Sequence, residues 1–147
     1  MTTIAYHHES NQVAVDSRSV ISGTYDDNTN KVHKNKGRTF ILCGSVCDFS
    51  YFIENFESLT TVKLDVELDT CGIMIEDGKG YYVFVHSGAF NQEPLTANLC
   101  LGSGMNFATS ALDFNETAKG AVEFASTRCI YTGGNVQVYD IEKGVFI

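Results

Sequence analysis

Apolar and polar residues alternate over short stretches in the first part of the chain, and this pattern predicts β-strands. Residues 2–8 and 12–16 are β-prone and are separated by a short polar turn, so they predict an N-terminal hairpin. Residues 22–37 are polar and rich in turn formers, whereas residues 39–43 form an apolar strand that ends at Gly44. The chain therefore begins with a hairpin, a long polar connection and a third strand.

Aromatic residues then recur at helical spacing. They occupy positions i, i+3, i+4 and i+7 of one face, at Phe49, Phe52, Ile53 and Phe56. Asp48 lies near the start of this segment, where the positive end of the helix dipole favours a carboxylate. The pattern predicts an amphipathic helix directly after the third strand.

In the second half of the chain, predicted strands are again followed by predicted helices. Strands are predicted over 71–75, 81–85, 97–101 and 136–141, the first two joined by a glycine-bearing loop. Two helical stripes precede the last strand, one at Ala108, Ala111 and Leu112, the other at Ala118, Ala121, Val122, Ala125 and Cys129. Hairpins alternating with paired helices predict an α+β fold with an antiparallel sheet covered by helices, and two such sheets can stack through their apolar faces.

Composition limits the functional classes. The 147 residues fit a single domain over 1–147, and the formal net charge of -8 disfavours a nucleic-acid partner because no basic surface is available for phosphates. The sequence contains no apolar run of membrane-spanning length and no secretory leader pattern, so we expect a cytoplasmic protein without a membrane partner. Its five cysteines are odd in number and widely spread, which favours reduced thiols over a disulfide framework.

Thr2 is the residue with the most distinctive chemical potential. If Met1 is removed, Thr2 carries a hydroxyl and a free amine on adjacent carbons, so the amine can act as base for its own nucleophile. An α-amino group has an unperturbed pKa of about 7.7–8.0, so part of it is unprotonated near neutral pH. The alternative is that Thr2 has no catalytic role, since threonine follows the initiator methionine in many proteins.

Three further residues are candidates for the surroundings of Thr2. Asp16 follows the second strand, and hairpin geometry can bring it beside Thr2, although it is also typical of a turn aspartate. Lys31, kept protonated by Asp16, would lower the pKa of a nearby hydroxyl, although a lysine here is also typical of a solvated loop. Ser103 lies in a Gly-Ser-Gly turn between a strand and a helix, where a serine can relay a hydrogen bond or cap the helix.

Taken together, six segments resemble the proteasome-type N-terminal nucleophile hydrolases of the HslV kind. They follow the order of that family and cover nearly the whole chain: residues 2–4, the run ending at Asp16, residues 30–32, residues 43–54, residues 101–104 and residues 129–132. The last segment, Cys-Ile-Tyr-Thr after a helix, is the most specific of the six.

The resemblance implies a four-layer α-β-β-α sandwich and a threonine peptidase that cleaves polypeptide substrates. Thr2 would be the nucleophile, Asp16 and Lys31 would be its charged neighbours with Lys34 as the alternative lysine, and Ser103 would bind near the threonine amine. No cofactor is implied for the chemistry. The loop after the last helix would hold a sodium or magnesium ion through backbone carbonyls, which map to Ser126, Cys129 and Thr132. The family also implies a homo-oligomeric ring and a partner ATPase unfoldase.

Two departures from the family pattern keep other functions open. An ungapped alignment places Ile41 at the glycine whose amide forms the oxyanion hole of the family, and the segment 58–69, which helps to build ring contacts in relatives, is short. These departures favour a catalytically weak or inactive assembly module. A small-molecule amidase of the same nucleophile class is a third hypothesis.

Overall fold

A computed structural model describes residues 1–56 and 67–147, and it contains two five-stranded antiparallel sheets with three helices. The strands are β1 (Thr3–His7), β2 (Gln12–Val15), β3 (Ser19–Ile21), β4 (Thr24–Asp26), β5 (Val32–Asn35), β6 (Arg38–Gly44), β7 (Thr70–Glu76), β8 (Lys79–His86), β9 (Ala89–Pro94), β10 (Leu99–Gly102), β11 (Gln137–Asp140) and β12 (Val145–Phe146). The helices are α1 (Val46–Asn55), α2 (Met105–Asp113) and α3 (Ala118–Ser126).

The two sheets stack face to face, as the sequence predicts. The first has the strand order β10-β1-β2-β11-β12 and the second the order β5-β6-β7-β8-β9. Alternate residues of the strands point into the space between the sheets, where Ile4 and Val15 of the first sheet share one buried cluster with Ile41 and Ile73 of the second. Burial of these branched side chains stabilises the contact between the sheets by roughly 1.5–3 kcal/mol for each.

Helices cover both outer faces of the stacked sheets. Helices α2 and α3 present small residues to β1 and β2, so that Ala121 and Ala125 lie close to Ala5 and Ala14. Helix α1 covers the second sheet with aromatic residues, and Phe52 packs edge-on against Phe40 with ring centroids 6.3 Å apart. The predicted α-β-β-α sandwich is therefore confirmed.

The structure adds strands that hydrophobic alternation did not predict. Residues 22–37 were expected to be a polar connection, but they contain β4 and β5, and β5 pairs with β6 in the register Val32↔Ile41. Polar strands of this kind are specified by their partner strand more than by their own pattern. Helix α3 ends at Ser126, so Cys129 belongs to the following loop and not to the helical stripe.

Two further predictions concern the short segment after α1 and the absence of a membrane-spanning segment. Most of the shortened segment 58–69 lies outside the described residues. Across the described ranges, 1–56 and 67–147, no helix has both the length and the apolar character needed to cross a membrane.

Candidate active site

Thr2 lies directly before β1, an inner strand of the first sheet, and only 3% of its surface is exposed. The register Thr3↔Gly102 brings the turn after β10 alongside it. The backbone N–H and the hydroxyl of Ser103 both donate to the Thr2 carbonyl, at 2.8 and 3.3 Å. Gly102 has a φ of +91°, and a Cβ there would strike the Thr2 carbonyl. The glycine therefore allows the turn to approach Thr2 closely.

Asp16 lies directly after β2 and is fully buried. One carboxylate oxygen accepts hydrogen bonds from the Thr3 amide at 2.9 Å and from the Lys31 ammonium at 2.8 Å. The other accepts from the amides of Gly133 at 3.0 Å and Arg18 at 3.3 Å. A turn aspartate would explain the Arg18 contact alone. The remaining three contacts join Asp16 to separate parts of the chain around Thr2.

Lys31 is buried beside Asp16, with 3% of its side chain exposed. Its ammonium also donates to the carbonyl of Met1 at 3.0 Å, so the positive charge lies beside the peptide group that joins Met1 to Thr2. Burial lowers the pKa of Lys31, and this effect outweighs the opposing attraction of Asp16. Lys34, the alternative lysine, is exposed on β5. The structure therefore places Lys31, and not Lys34, next to Asp16.

A second polar cluster holds the other face of β1. The hydroxyls of Thr3 and Thr132 are hydrogen-bonded at 2.6 Å, and the Gly104 amide donates to the Thr3 hydroxyl at 3.0 Å. These contacts fix the start of β1 against the start of α2 and the loop after α3. The sequence offered little signal for them, because two of the groups are small hydroxyls and the third is a backbone amide.

Comparison with solved structures identifies this fold. The chain matches Thiobacillus denitrificans BPH, in a complex with epoxomicin, with a TM-score of 0.69 and 13% identity over 93% of this chain and 96% of that one. It matches eukaryotic HslV from Trypanosoma brucei with a TM-score of 0.65 and 14% identity over 92% and 97% of the two chains. The chain has the HslV-like fold of the proteasome-type N-terminal nucleophile hydrolases. No family model and no curated protein matches the sequence.

In this HslV-like fold, the three residues predicted to hold an ion lie at the end of α3 and in the loop after it: Ser126 is the last residue of the helix, and Cys129 and Thr132 belong to the loop. The Cys129 carbonyl accepts from the Thr132 amide at 3.1 Å and keeps a second lone pair. The C-terminal end of a helix dipole favours a cation. Arg18 donates to the Ile130 carbonyl of the same loop at 3.1 Å. Hard oxygen donors of this kind suit sodium or magnesium.

Cys129 itself lies close to the site. Burial raises the pKa of its thiol, but hydrogen bonds from Thr132, Ser103 and the backbone together outweigh burial, and the net effect is a lowered pKa. The described residues contain no group of three or more His, Cys, Asp or Glu side chains placed to bind a metal. An ion in this loop would depend on backbone carbonyls.

The position of Ile41 within the HslV-like fold decides what its amide can do. Ile41 pairs with Val32 on one side and Ile73 on the other. Its carbonyl lies against Gly72 of β7, and in an antiparallel strand the N–H of a residue points to the same side as its carbonyl. The Ile41 amide is thus part of the ladder with β7, and the expectation that it forms the oxyanion hole is wrong.

Proposed function

We propose that this chain is a threonine peptidase in which Thr2, exposed by removal of Met1, attacks peptide bonds. The observation that carries the proposal is the buried ion pair of Asp16 and Lys31, which lies with Ser103 around the segment that joins Met1, Thr2 and Thr3. Burying two charges is expensive unless they are paired and hydrogen-bonded. An arrangement of this cost, placed at a candidate nucleophile, favours a catalytic role over a structural one.

The proposed reaction begins when the free amine of Thr2 takes the proton of its own hydroxyl. The oxygen attacks the carbonyl carbon of the substrate, and the amine then passes its proton to the departing amino group as the peptide bond breaks. The resulting ester is hydrolysed by water, which returns the hydroxyl to Thr2. In this scheme the positive charge of Lys31 lowers the pKa of the Thr2 hydroxyl, and Asp16 holds Lys31 in place.

Gly44 is the proposed donor to the oxyanion. The Ser45 amide donates to the Asp69 carbonyl on the β7 side at 2.7 Å. Successive amides of a regular strand alternate in direction, and the Ile41 amide faces β7, so the Gly44 amide three residues later faces the opposite side, beyond the point where β5 begins at Val32. It therefore points to the open side of β6 near Lys31. An oxyanion donor of this kind contributes about 2.7–4 kcal/mol to transition-state stabilisation in a serine protease.

Assembly and partners form the second part of the proposal. We propose a cytoplasmic homo-oligomeric ring that encloses the active sites and receives polypeptides from an ATPase unfoldase. We also propose that each subunit holds a sodium or magnesium ion at the carbonyls of Ser126, Cys129 and Thr132. Phe114 and Phe124 support an assembly surface, because these two exposed aromatic residues line the same apolar groove. Native mass spectrometry in sodium, magnesium and ion-free buffers tests both the ring and the ion.

Removal of the hydroxyl of Thr2 tests the peptidase. Intact mass should show loss of Met1, and Thr2→Ala should abolish cleavage of fluorogenic peptides, whereas Thr24→Ala, at an exposed threonine of β4, should retain it. Epoxomicin, which is bound in the Thiobacillus structure, should bind the wild type in native mass spectrometry and not Thr2→Ala. Retention of Met1 in protein from its native host, or full activity of Thr2→Ala, would refute the proposal.

Loss of the Ser103 hydroxyl tests its positioning role. Ser103→Ala removes one of the two hydrogen bonds to the Thr2 carbonyl, so kcat should fall while KM changes little. Ser110→Ala, at an exposed serine of α2, is the matched control. Cleavage of simple amides in preference to peptides would favour the small-molecule amidase, and Thr2→Ala with undiminished biological activity would favour the assembly module.

A further inference from the structure

Two cysteines face each other in the second sheet. Cys43 of β6 and Cys71 of β7 are direct partners in the strand register, and their sulfur atoms are 3.3 Å apart. Residues opposite each other in an antiparallel pair have Cα atoms about 4.5–5.5 Å apart. A disulfide spans Cα separations of about 4.4–6.8 Å, so the spacing of the two strands is compatible with a disulfide between these cysteines.

The two thiols differ in their surroundings. Cys43 is buried in the space between the sheets, and Cys71 is partly exposed at the edge of the same cluster. The hydrogen bond from the Cys43 thiol, with a smaller contribution from Tyr82, lowers the pKa of Cys71, while the same hydrogen bond and burial raise the pKa of Cys43. Cys71 is therefore the sulfur that ionises more readily, and it is also the one that small solutes can reach.

We propose that Cys43 and Cys71 form a redox modification site, which a peroxide converts into a reversible disulfide within one subunit. The Cys71 thiolate attacks one oxygen of hydrogen peroxide, the O–O bond breaks, and the products are a sulfenic acid and, after protonation, one water. The Cys43 sulfur then attacks the Cys71 sulfur, the S–O bond breaks, and the hydroxyl leaves with the thiol proton as a second water. Both cysteines are oxidised by one electron each, and the peroxide accepts the two electrons.

The site adjoins the proposed active site. Cys43 directly precedes Gly44 in β6, and its sulfur lies within electrostatic range of the Lys31 ammonium. Formation of the bond would draw two sulfurs from 3.3 Å to about 2.05 Å at this point. We therefore expect oxidation to reduce the peptidase activity. This last step rests on the proposed function, whereas formation of the disulfide does not.

Peptide mapping after peroxide treatment tests the disulfide. Folded protein is treated with hydrogen peroxide, free thiols are blocked with an alkylating reagent, and the digest is analysed by mass spectrometry. We expect a linked peptide pair that contains Cys43 and Cys71, an intact mass lower by two hydrogen atoms, and full reversal by dithiothreitol. Absence of this linked pair in folded wild-type protein, or accumulation of Cys71 sulfinic acid in its place, would overturn the proposal.

Single substitutions separate this pair from the other thiols. Cys71→Ser and Cys43→Ser should each abolish the mass loss, whereas Cys100→Ser, at a partly buried thiol of the first sheet, should leave it unchanged. Loss of the disulfide in Cys100→Ser would contradict the assignment. If the reduced protein lacks peptidase activity, the proposed function fails while the mass result stands. If activity is present and the disulfide does not form, only the redox site fails.

Discussion

Replacement of Asp16 by asparagine should destabilise the protein strongly, because it breaks a buried ion pair without changing the size of the side chain. If the asparagine oxygen keeps its contacts with Thr3 and Lys31, its NH2 group faces the amides of Gly133 and Arg18, which are also donors. The charge of Lys31 then has no counter-ion in a site from which water is excluded. Both defects belong to the short list of changes with large effects on stability.

The expected magnitude follows from the burial of both partners. Removal of one partner of a buried ion pair costs about 3–5 kcal/mol, whereas an exposed pair contributes about 0–1 kcal/mol. For a domain of this size each kcal/mol lowers Tm by about 2–4 °C, so Asp16→Asn should lower it by roughly 6–20 °C. Lys31→Met should cost less, because the Asp16 carboxylate keeps three backbone donors, whereas the Lys31 ammonium of Asp16→Asn loses the carboxylate that balances its charge.

Urea unfolding followed by circular dichroism, at one protein concentration, measures these differences. The double variant Asp16→Asn/Lys31→Met should be less destabilised than the sum of the single variants, because no unpaired charge remains. Glu123→Gln is the matched control, since Glu123 and Lys119 form an exposed pair on α3 and its loss should cost less than about 0.5 kcal/mol. A cost below about 1 kcal/mol for Asp16→Asn, or strict additivity in the double variant, would refute the reasoning.

Three other changes have defined outcomes. Burial lowers the pKa of Lys31, so as pH approaches the ordinary value of 10.5 the unfolded chain binds more protons than the folded protein. The free energy of unfolding of the wild type should therefore rise with alkaline pH relative to that of Lys31→Met, as measured in parallel urea titrations. Gly102→Ala should lower Tm and displace Thr2, because its Cβ would strike the Thr2 carbonyl and its φ is +91°; a native Tm would contradict this. Thr117→Ala should cost about 0.5–2 kcal/mol in urea unfolding, since the Thr117 hydroxyl accepts from the Gly120 amide at the start of α3; the absence of any loss would show that the cap is dispensable.

Hydrophobic periodicity predicted antiparallel sheets covered by helices, whereas the four-layer order came from the resemblance to the family. The stripe of Phe49, Phe52 and Phe56 identified α1, and the apolar residues 39–43 identified the core of β6. The same method could not predict β5, whose residues after Val32 are polar. Its position depends on hydrogen bonds to β6, which are contacts between strands and leave no periodic signal in a single sequence.

The candidate site was predictable where charged side chains carry it, and less so where the backbone does. Asp16 and Lys31 are also typical of a turn and a loop when each is considered alone, but the resemblance placed them beside Thr2, and the structure brings them together. The Gly133 amide, by contrast, has no side-chain signal although it binds Asp16 directly. The expectation that the Ile41 amide forms the oxyanion hole is wrong for a related reason. The direction of an amide depends on strand register and not on residue type, and the register turns the Ile41 amide toward β7.

The position of the ion pair suggests why so costly an arrangement is retained. Asp16 directly follows β2 of the first sheet and Lys31 directly precedes β5 of the second, so their 2.8 Å contact joins the two sheets beside the start of β1, where Thr2 lies. A well-packed apolar pair can equal or exceed a buried ion pair in stability, so stability alone does not require these charges. The double variant separates the requirement for stability from the requirement for catalysis. If it recovers much of the stability and yet cleaves no peptide, the charges serve the chemistry at Thr2, and the apolar core is sufficient to hold the two sheets together.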